Sequence, residues 1–469
     1  MNILAVHAPG AELKRLSFKD APAVRVAFSS HLIPGPWDLI LQWGQPEAPA
    51  FSAVPVVNPS EALRIAADPE RAKAILKAHR IPTAYYGHAS RFKARYRLHV
   101  FDLRVLMATR RVKGRFKPVR TVGKRMERVR EVALRSVYYL GLHFAAVDVA
   151  VIGRRAVPLA VDPAPELTKK LGQLYGKAAA AYLQRRLRRL VPDRPPVLLG
   201  ADPEFIMKRK NGRVIYASRF FKKRGRVGYD HQGSRRHRGR GLRPIAELRP
   251  EPSESPIELV ARIKALLRRA GKRAPRKGVR WEAGSLPVKG YPVGGHIHFS
   301  RIDLTTEFMR ALDQYLAIPV MMLETPEKAR RRRKKYGYLG EFRWQRYGGY
   351  EYRVLSSWIV APHFALAVLS LAKLIADNYE KLNRNVLLNP DYCRMFYTCD
   401  KEGLREVFEL LWSDLEALDD YKSVERYVEV IPRLVRENKR WLESQDLRPR
   451  WGLVGKPRRS ARRKAREKH

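Results

Sequence analysis

Residues 293–300 read VGGHIHFS. Two glycines lead into histidines on either side of an isoleucine. Successive side chains of a strand point to opposite faces, so residues two apart share one. His296 and His298 then share a face, with Ile297 and Phe299 opposite. Three further segments repeat the pattern. GADPEF (200–205) pairs Asp202 with Glu204, IAELRP (245–250) pairs Glu247 with Arg249, and GYEYRVLSS (349–357) pairs Glu351 with Arg353. Any one doublet reads as a surface ion pair. Four of them, flanked by glycine and apolar residues, predict strands that line one concave surface with carboxylates, imidazoles and guanidiniums.

Electrostatics limits what such a surface can be. Two carboxylates about 4 Å apart repel by roughly 4 kcal/mol at an effective dielectric of about 20. A cluster of three must protonate or be met by cations. Arginines supply part of that charge, and Mg²⁺ or Mn²⁺ suits carboxylates with an imidazole. Carboxylate-bound metals beside arginines fit ATP, because the metals bridge phosphates while arginines stabilise the group in transfer. A single hydrolytic Zn²⁺ would leave most of these acids and arginines without a role.

Composition sets the frame. The chain has 469 residues, 45% of them apolar, which is enough for two or three domains with cores. Its formal net charge of +48 predicts attraction to phosphates or acidic partners. The two cysteines, Cys393 and Cys399, are too few for a disulfide framework, and their spacing is not a zinc pattern. MNILAVHAPGAELKRL lacks the form of a signal peptide, and FALAVLSLAKLIA (364–376) is too short to span a bilayer. The expectation is a soluble cytoplasmic protein with no membrane role.

The division expected is residues 1–192, 193–448 and a basic tail, 449–469. The first part opens with strand-like NILAV, VRVAF and DLILQW, followed by one helix over SEALRIAADPERAKAILKAHR. Strands follow in RLHVFDLRVLMATRRV and FAAVDVAVIG, and the helix YGKAAAAYLQRRLRRL comes before proline-rich VPDRPPV. The second part is strand-rich over 197–360 and helical over 361–448. FFKKRGRVGYDHQGSRRHRGRG (220–241) reads either as a lid over phosphate, with Asp230 near the amine site, or as a solvated loop. ARRRRKKYGYLGEFRWQRYGGY (329–350) interleaves aromatics with cations, as nucleic-acid surfaces can, but its place just before Glu351 favours the rim of the site.

GADPEF, AELRPEP, GGHIHFS and YEYRVLSSW, in that order, resemble the phage-type carboxylate–amine ligases. These are amidoligases of the glutamine synthetase and glutamate–cysteine ligase superfamily. The resemblance implies an α+β fold, a curved antiparallel sheet with helices, binding ATP and two or three Mg²⁺ or Mn²⁺ ions. It implies that a substrate carboxylate is phosphorylated and that an amine displaces the phosphate. Glu204, Glu247, Glu351 and Asp202 would then be metal ligands, joined by His296. His298 would lie nearer the acyl substrate or nucleotide. Arg249 and Arg353 would stabilise the phosphoryl and acyl-phosphate oxygens, assisted by Arg343. Asp202 stands where glutamine synthetases carry the longer glutamate.

Residues 58–183 resemble part of an ATP-grasp domain, an α/β fold. The span between Pro82 and Tyr96 is too short for its lysine-bearing strands and phosphate loop, and Ala160 and Asp162 replace its usual glutamate and asparagine. The resemblance therefore implies a degenerate module, structural or substrate-presenting, in which Asp148 and Asp162 retain the capacity for one metal. The substrates implied are an amine and the carboxylate of an amino acid, peptide or protein, and oligomerisation is common in such ligases. The competing reading is a nucleic-acid-binding or particle-associated protein working through its tail and loops, whose affinity would fall steeply with salt. Such a protein has no need of acid-bearing doublets on one face.

Overall fold

The computed structural model describes residues 1–454 except 9–12, 22, 48–53, 89–90, 93–94, 231–234, 238–239 and 276. Most of the basic tail expected at 449–469, from residue 455 onward, and part of the glycine- and arginine-rich segment 220–241 lie outside the described residues. The protein is a mixed α/β chain of two compact units. Unit 1 comprises Met1–Pro195 together with Asp303–Arg310 and Asn383–Met395, and unit 2 comprises the rest.

In unit 1, β1 (Asn2–His7), β2 (Arg25–Ser29), β3 (Leu39–Trp43) and β4 (Val56–Val57) form a parallel sheet in the order β2-β1-β3-β4. The helical stretch after it is two helices where the periodicity predicts one: α1 (Ser60–Ala67) and α2 (Pro69–Ala78). The break lies at Asp68, because a residue preceding proline avoids the helical region. Its backbone is extended, and its carboxylate accepts hydrogen bonds from the Glu70 and Arg71 amides at 3.0 and 3.1 Å. Pro69 takes the first helical position, where no amide hydrogen is needed. Asp68→Ala is expected to cost about 1 kcal/mol in chemical denaturation, the usual worth of such a cap.

An antiparallel sheet follows, built from β5 (Arg95–Phe101), β6 (Arg104–Val112) and β7 (Arg115–Pro118). After α3 (Lys124–Tyr139), β8 (Phe144–Ile152) and β9 (Arg155–Asp162) complete the order β7-β6-β5-β8-β9. The β5–β6 turn places Asp102 and Leu103 at φ +45° and +60°. The buried Asp102 carboxylate accepts from the Thr306 amide (2.8 Å) and pairs with Arg185, which ties residues 303–310 to this unit. Helix α4 (Lys169–Arg189) packs with its glycines against the chain near the N-terminus. A Cβ at Gly172 would stand 1.8 Å from the Arg15 carbonyl oxygen, so only glycine permits that approach. Trp43, Phe101, Phe144, Tyr175 and Tyr182 form the aromatic centre of the core.

Asp148 of β8 is matched by Arg97, whose Nε and Nη2 donate to its two oxygens at 2.7 and 3.1 Å. Asp162 accepts from the Ala164 amide at 2.9 Å. Neither belongs to a group with metal-ligand spacing among the described residues.

Unit 2 carries two antiparallel sheets. One runs β10-β18-β20-β19, from Leu198–Ala201, Ile297–Ser300, Tyr350–Tyr352 and Phe342–Trp344 respectively. The other runs β12-β11-β16-β13 (Val214–Ile215, Glu204–Arg209, Ile245–Leu248, Val227–Tyr229), with β17 (Val279–Glu282) also on β11. A short ribbon, β14 (Arg235–His237) and β15 (Arg240–Leu242), stands between β13 and β16 in the chain. Helices α5 (Pro256–Arg273) and α6 (Pro362–Asn378) pack together, and α6 carries the apolar stretch 364–376. No helix of the described residues is long and apolar enough to cross a membrane. Among the described residues neither cysteine is in a disulfide, and both are buried.

The four doublets thus lie on two sheets, where the pattern predicts one continuous surface. Pro203 explains the break. It has no amide hydrogen to continue a ladder, and the chain leaves β10 at Ala201 and enters β11 at Glu204.

Candidate active site

The junction between β10 and β11 gathers the polar doublets of unit 2. On either side of Pro203, the Asp202 amide donates to the His296 carbonyl (3.3 Å) and the Glu204 amide to the Gly294 carbonyl (2.9 Å). The segment before β18 therefore spans the gap between the sheets. On the first sheet His298 lies between Gly200 and Glu351 in register, and Arg343 is the other partner of Glu351. On the second, Glu204 faces Glu247 directly.

In the first cluster, Asp202 Oδ1 lies 3.1 Å from His296 Nδ1 and 3.3 Å from His298 Nε2. His296 Nδ1 is also 3.2 Å from Glu351 Oε1. Glu351 is fully buried and surrounded by donors. Arg353 Nη1 donates to Oε1 at 3.1 Å, while Arg343 Nε and Gln345 Nε2 donate to Oε2 at 2.8 and 2.6 Å. Both doublet geometries predicted at this sheet hold: His296 with His298, and Glu351 with Arg353.

In the second cluster, Glu204 accepts from the Gly294 amide at 2.6 Å. Glu247 pairs with Arg249. The Arg249 guanidinium also donates through Nη1 to the Gly225 and Lys223 carbonyls at 2.9 and 3.2 Å. Gly228 makes room for it, since a Cβ there would stand 2.1 Å from Nη1.

Burial first, and then neighbouring charge, raise the proton affinity of both facing carboxylates. Burial, then the charges of Asp230 and Glu247, push Glu204 well above the usual carboxylate range. Burial, then Asp202, push Glu247 up to about 8 even though Arg249 opposes the rise. Asp202 behaves oppositely. Burial acts against its charge, but His296 and His298 hold it well below the ordinary value. His298 is raised in turn: burial opposes its charge, and the bond to Asp202 outweighs that.

One ligand atom from each of Asp202, His298 and Glu351 lies within 4.8 Å of the others, the spacing of a shared ion. Oxygen and imidazole donors of this kind suit Mg²⁺ or Mn²⁺, and two opposed carboxylates of raised proton affinity present a second demand for positive charge. The residues therefore fit such ions. Of the metal set implied by resemblance, Asp202 and Glu351 fall in this trio, His296 touches both, and Glu204 and Glu247 form the opposing pair. The imidazole in the trio is His298, which the resemblance places nearer the substrate.

The reading from sequence missed several groups here. A cavity of about 20 Å³, room for about one water, is lined by Glu204, Gly294, His296, Tyr336, Glu341 and Arg353. Buried Arg332 borders it and donates to the carbonyls of Val293, Val354 and Leu355 at 3.2, 2.9 and 2.7 Å, binding together the segments that carry His296 and Arg353. Burial lowers its pKa to about 10. Inside a run of cations, nothing distinguished buried Arg332 from exposed Arg330 and Arg331.

The family described as phage phiEco32-like COOH.NH2 ligase-type 2 matches residues 199–453. This is more than half of the chain, which belongs to that family of carboxylate–amine ligases. Solved structures resembling the N-terminal part include the RimK domain protein ATP-grasp from Sphaerobacter thermophilus. It shows 14% identity and a TM-score of 0.30, over 39% of this chain and 100% of that one. Macrocyclase MdnC of Microcystis aeruginosa, bound with precursor peptide MdnA, shows 11% identity and a TM-score of 0.29, over 39% and 99%. D-alanine–D-alanine ligase from Bacillus anthracis, complexed with ATP, shows 13% identity and a TM-score of 0.28, over 39% and 91%. A comparison with curated proteins gives no match.

Proposed function

We propose that unit 2 joins a substrate carboxylate to an amine at the expense of ATP, through an acyl-phosphate, on a glutamine synthetase-like arrangement of strands. The observation that carries this reading is the facing pair Glu204 and Glu247 beside the trio Asp202, His298 and Glu351. Hydrolysis by one metal does not call for four buried acids ringed by Arg249, Arg343 and Arg353.

Mg²⁺ or Mn²⁺ bound there would neutralise phosphate oxygens and polarise the γ-phosphoryl group. Asp202, Glu351 and His298 would hold one ion, with His296 on their flank, and Glu204 and Glu247 would hold a further one. Arg249 and Arg353 bear on the transferring phosphoryl group, and Arg343 on the acyl-phosphate oxygens. Electrostatic stabilisation of this kind dominates phosphoryl transfer. The substrate carboxylate oxygen attacks the γ-phosphorus and ADP leaves. The amine nitrogen then attacks the acyl carbon, phosphate departs, and the amine gives up a proton. Unit 1 serves as a structural or substrate-presenting module, with Asp148 already matched by Arg97.

The direct test is phosphate release with Mg²⁺ or Mn²⁺ across a panel of acids and amines. An acid–amine pair should raise turnover above either component alone, with an amide as product. Nucleotide-independent hydrolysis of the amides would instead favour a hydrolase.

A further inference from the structure

The hairpin that precedes Glu351 presents three alternate residues to the metal trio. Arg343 and Gln345 both donate to Glu351 Oε2, and the Tyr347 hydroxyl lies 3.0 Å from His298 Nδ1. The turn that makes this possible is tight. The Gln345 amide donates to the Gly349 carbonyl at 2.9 Å, and Gly348 sits at φ +87°. A Cβ at Gly349 would stand 2.5 Å from the Tyr347 ring, so its absence gives the ring the space it occupies. Tyr347 is 59% exposed, yet its polar end is aimed inward.

We infer that Tyr347 and Gln345 are positioning residues for the ion site, orienting His298 and Glu351 from outside. An imidazole has two nitrogens, and the bond made by one fixes what the other presents. With Nδ1 engaged by the phenol, Nε2 is the nitrogen turned to Asp202, 3.3 Å away. Gln345 fills the same role for Glu351, fixing Oε2 and leaving Oε1 on the side of His296 and Arg353. Neither residue belongs to a polar doublet. Arg343, Gln345 and Tyr347 follow one another at a spacing of two, the strand period continued through the turn.

The inference rests on the proposed ion-dependent reading, and the test separates the two. Mn²⁺ binding to the full chain is followed by electron paramagnetic resonance, for the parent, Asp202→Asn, Tyr347→Phe, Gln345→Leu and Arg346→Ala. Arg346 is exposed and lies on the same hairpin. The parent and Arg346→Ala should bind alike, and Asp202→Asn should lose the ion of the trio while keeping the one proposed between Glu204 and Glu247. Tyr347→Phe, which removes one oxygen and keeps the ring, should bind about tenfold more weakly, as outer partners of metal ligands do. Gln345→Leu should follow it. Excess Mn²⁺ should restore phosphate release by Tyr347→Phe. If Asp202→Asn loses the trio's ion while Tyr347→Phe and Gln345→Leu stay within about twofold of the parent, the positioning role is wrong and the ion site stands. If the parent takes up no Mn²⁺, both fall.

Discussion

Glu247→Gln is expected to abolish ATP turnover while making the cation-free protein more stable. The substitution keeps the shape of the side chain and removes one of two facing buried charges. Without that carboxylate the proposed second ion has Glu204 alone, and the rate should fall by about a thousandfold or more, ~4 kcal/mol of transition-state stabilisation. Stability should move the other way, by about 1 kcal/mol near pH 8, because the burial of that charge and its repulsion by Asp202 are relieved. Arg249 is not stranded, since it keeps the Gly225 and Lys223 carbonyls. Steady-state phosphate release and thermal unfolding in a chelator, on the same preparation, measure both. A residue serving only the fold would show the reverse pattern, with stability lost and activity tracking it.

The second large effect is the pH dependence of stabilisation by divalent cations. Glu247, raised to about 8, and Glu204, also raised, bind more protons folded than unfolded over the range between the ordinary carboxylate value and about 8. Where the folded state binds more protons, stability falls as pH rises. The contribution is therefore present at low pH and is lost as pH climbs through the folded value. Added Mg²⁺ or Mn²⁺ competes with those protons, so its effect should grow across the same window and its binding should release protons. Thermal unfolding with and without the cation, at about pH 6 and about pH 8, should show the larger shift at the higher pH. Calorimetry in buffers of differing protonation enthalpy reads the protons directly. Glu247→Gln should flatten the dependence. An equal shift at both pH values in the parent would contradict it.

Much of this site was legible because strand periodicity is local. His296 and His298, Glu247 and Arg249, and Glu351 and Arg353 meet as alternation predicts, since each doublet needs only its own strand. Which strands pair is a longer-range matter. The two-sheet division turns on Pro203, a single residue inside a motif that otherwise reads as one strand. The same limit shows in unit 1, where Asp68–Pro69 divides a continuous helical pattern. The β5–β6 turn carries no glycine signal, and Leu103 adopts φ +60° in a turn whose Asp102 is tied to Thr306, about two hundred residues later in the chain. That Asp303–Arg310 belongs to the first unit could not be read from local pattern for the same reason. Tyr347 and Gln345 were hidden by their cationic neighbours, which masked the alternation.

The account depends on acids from both sheets holding cations together. Anomalous scattering from crystals of the protein soaked in Mn²⁺ tests this most directly. One peak is predicted among Asp202, His298 and Glu351, and a second between Glu204 and Glu247, with both weakened by excess Mg²⁺. Peaks confined to surface acids, or none at either position, would contradict it.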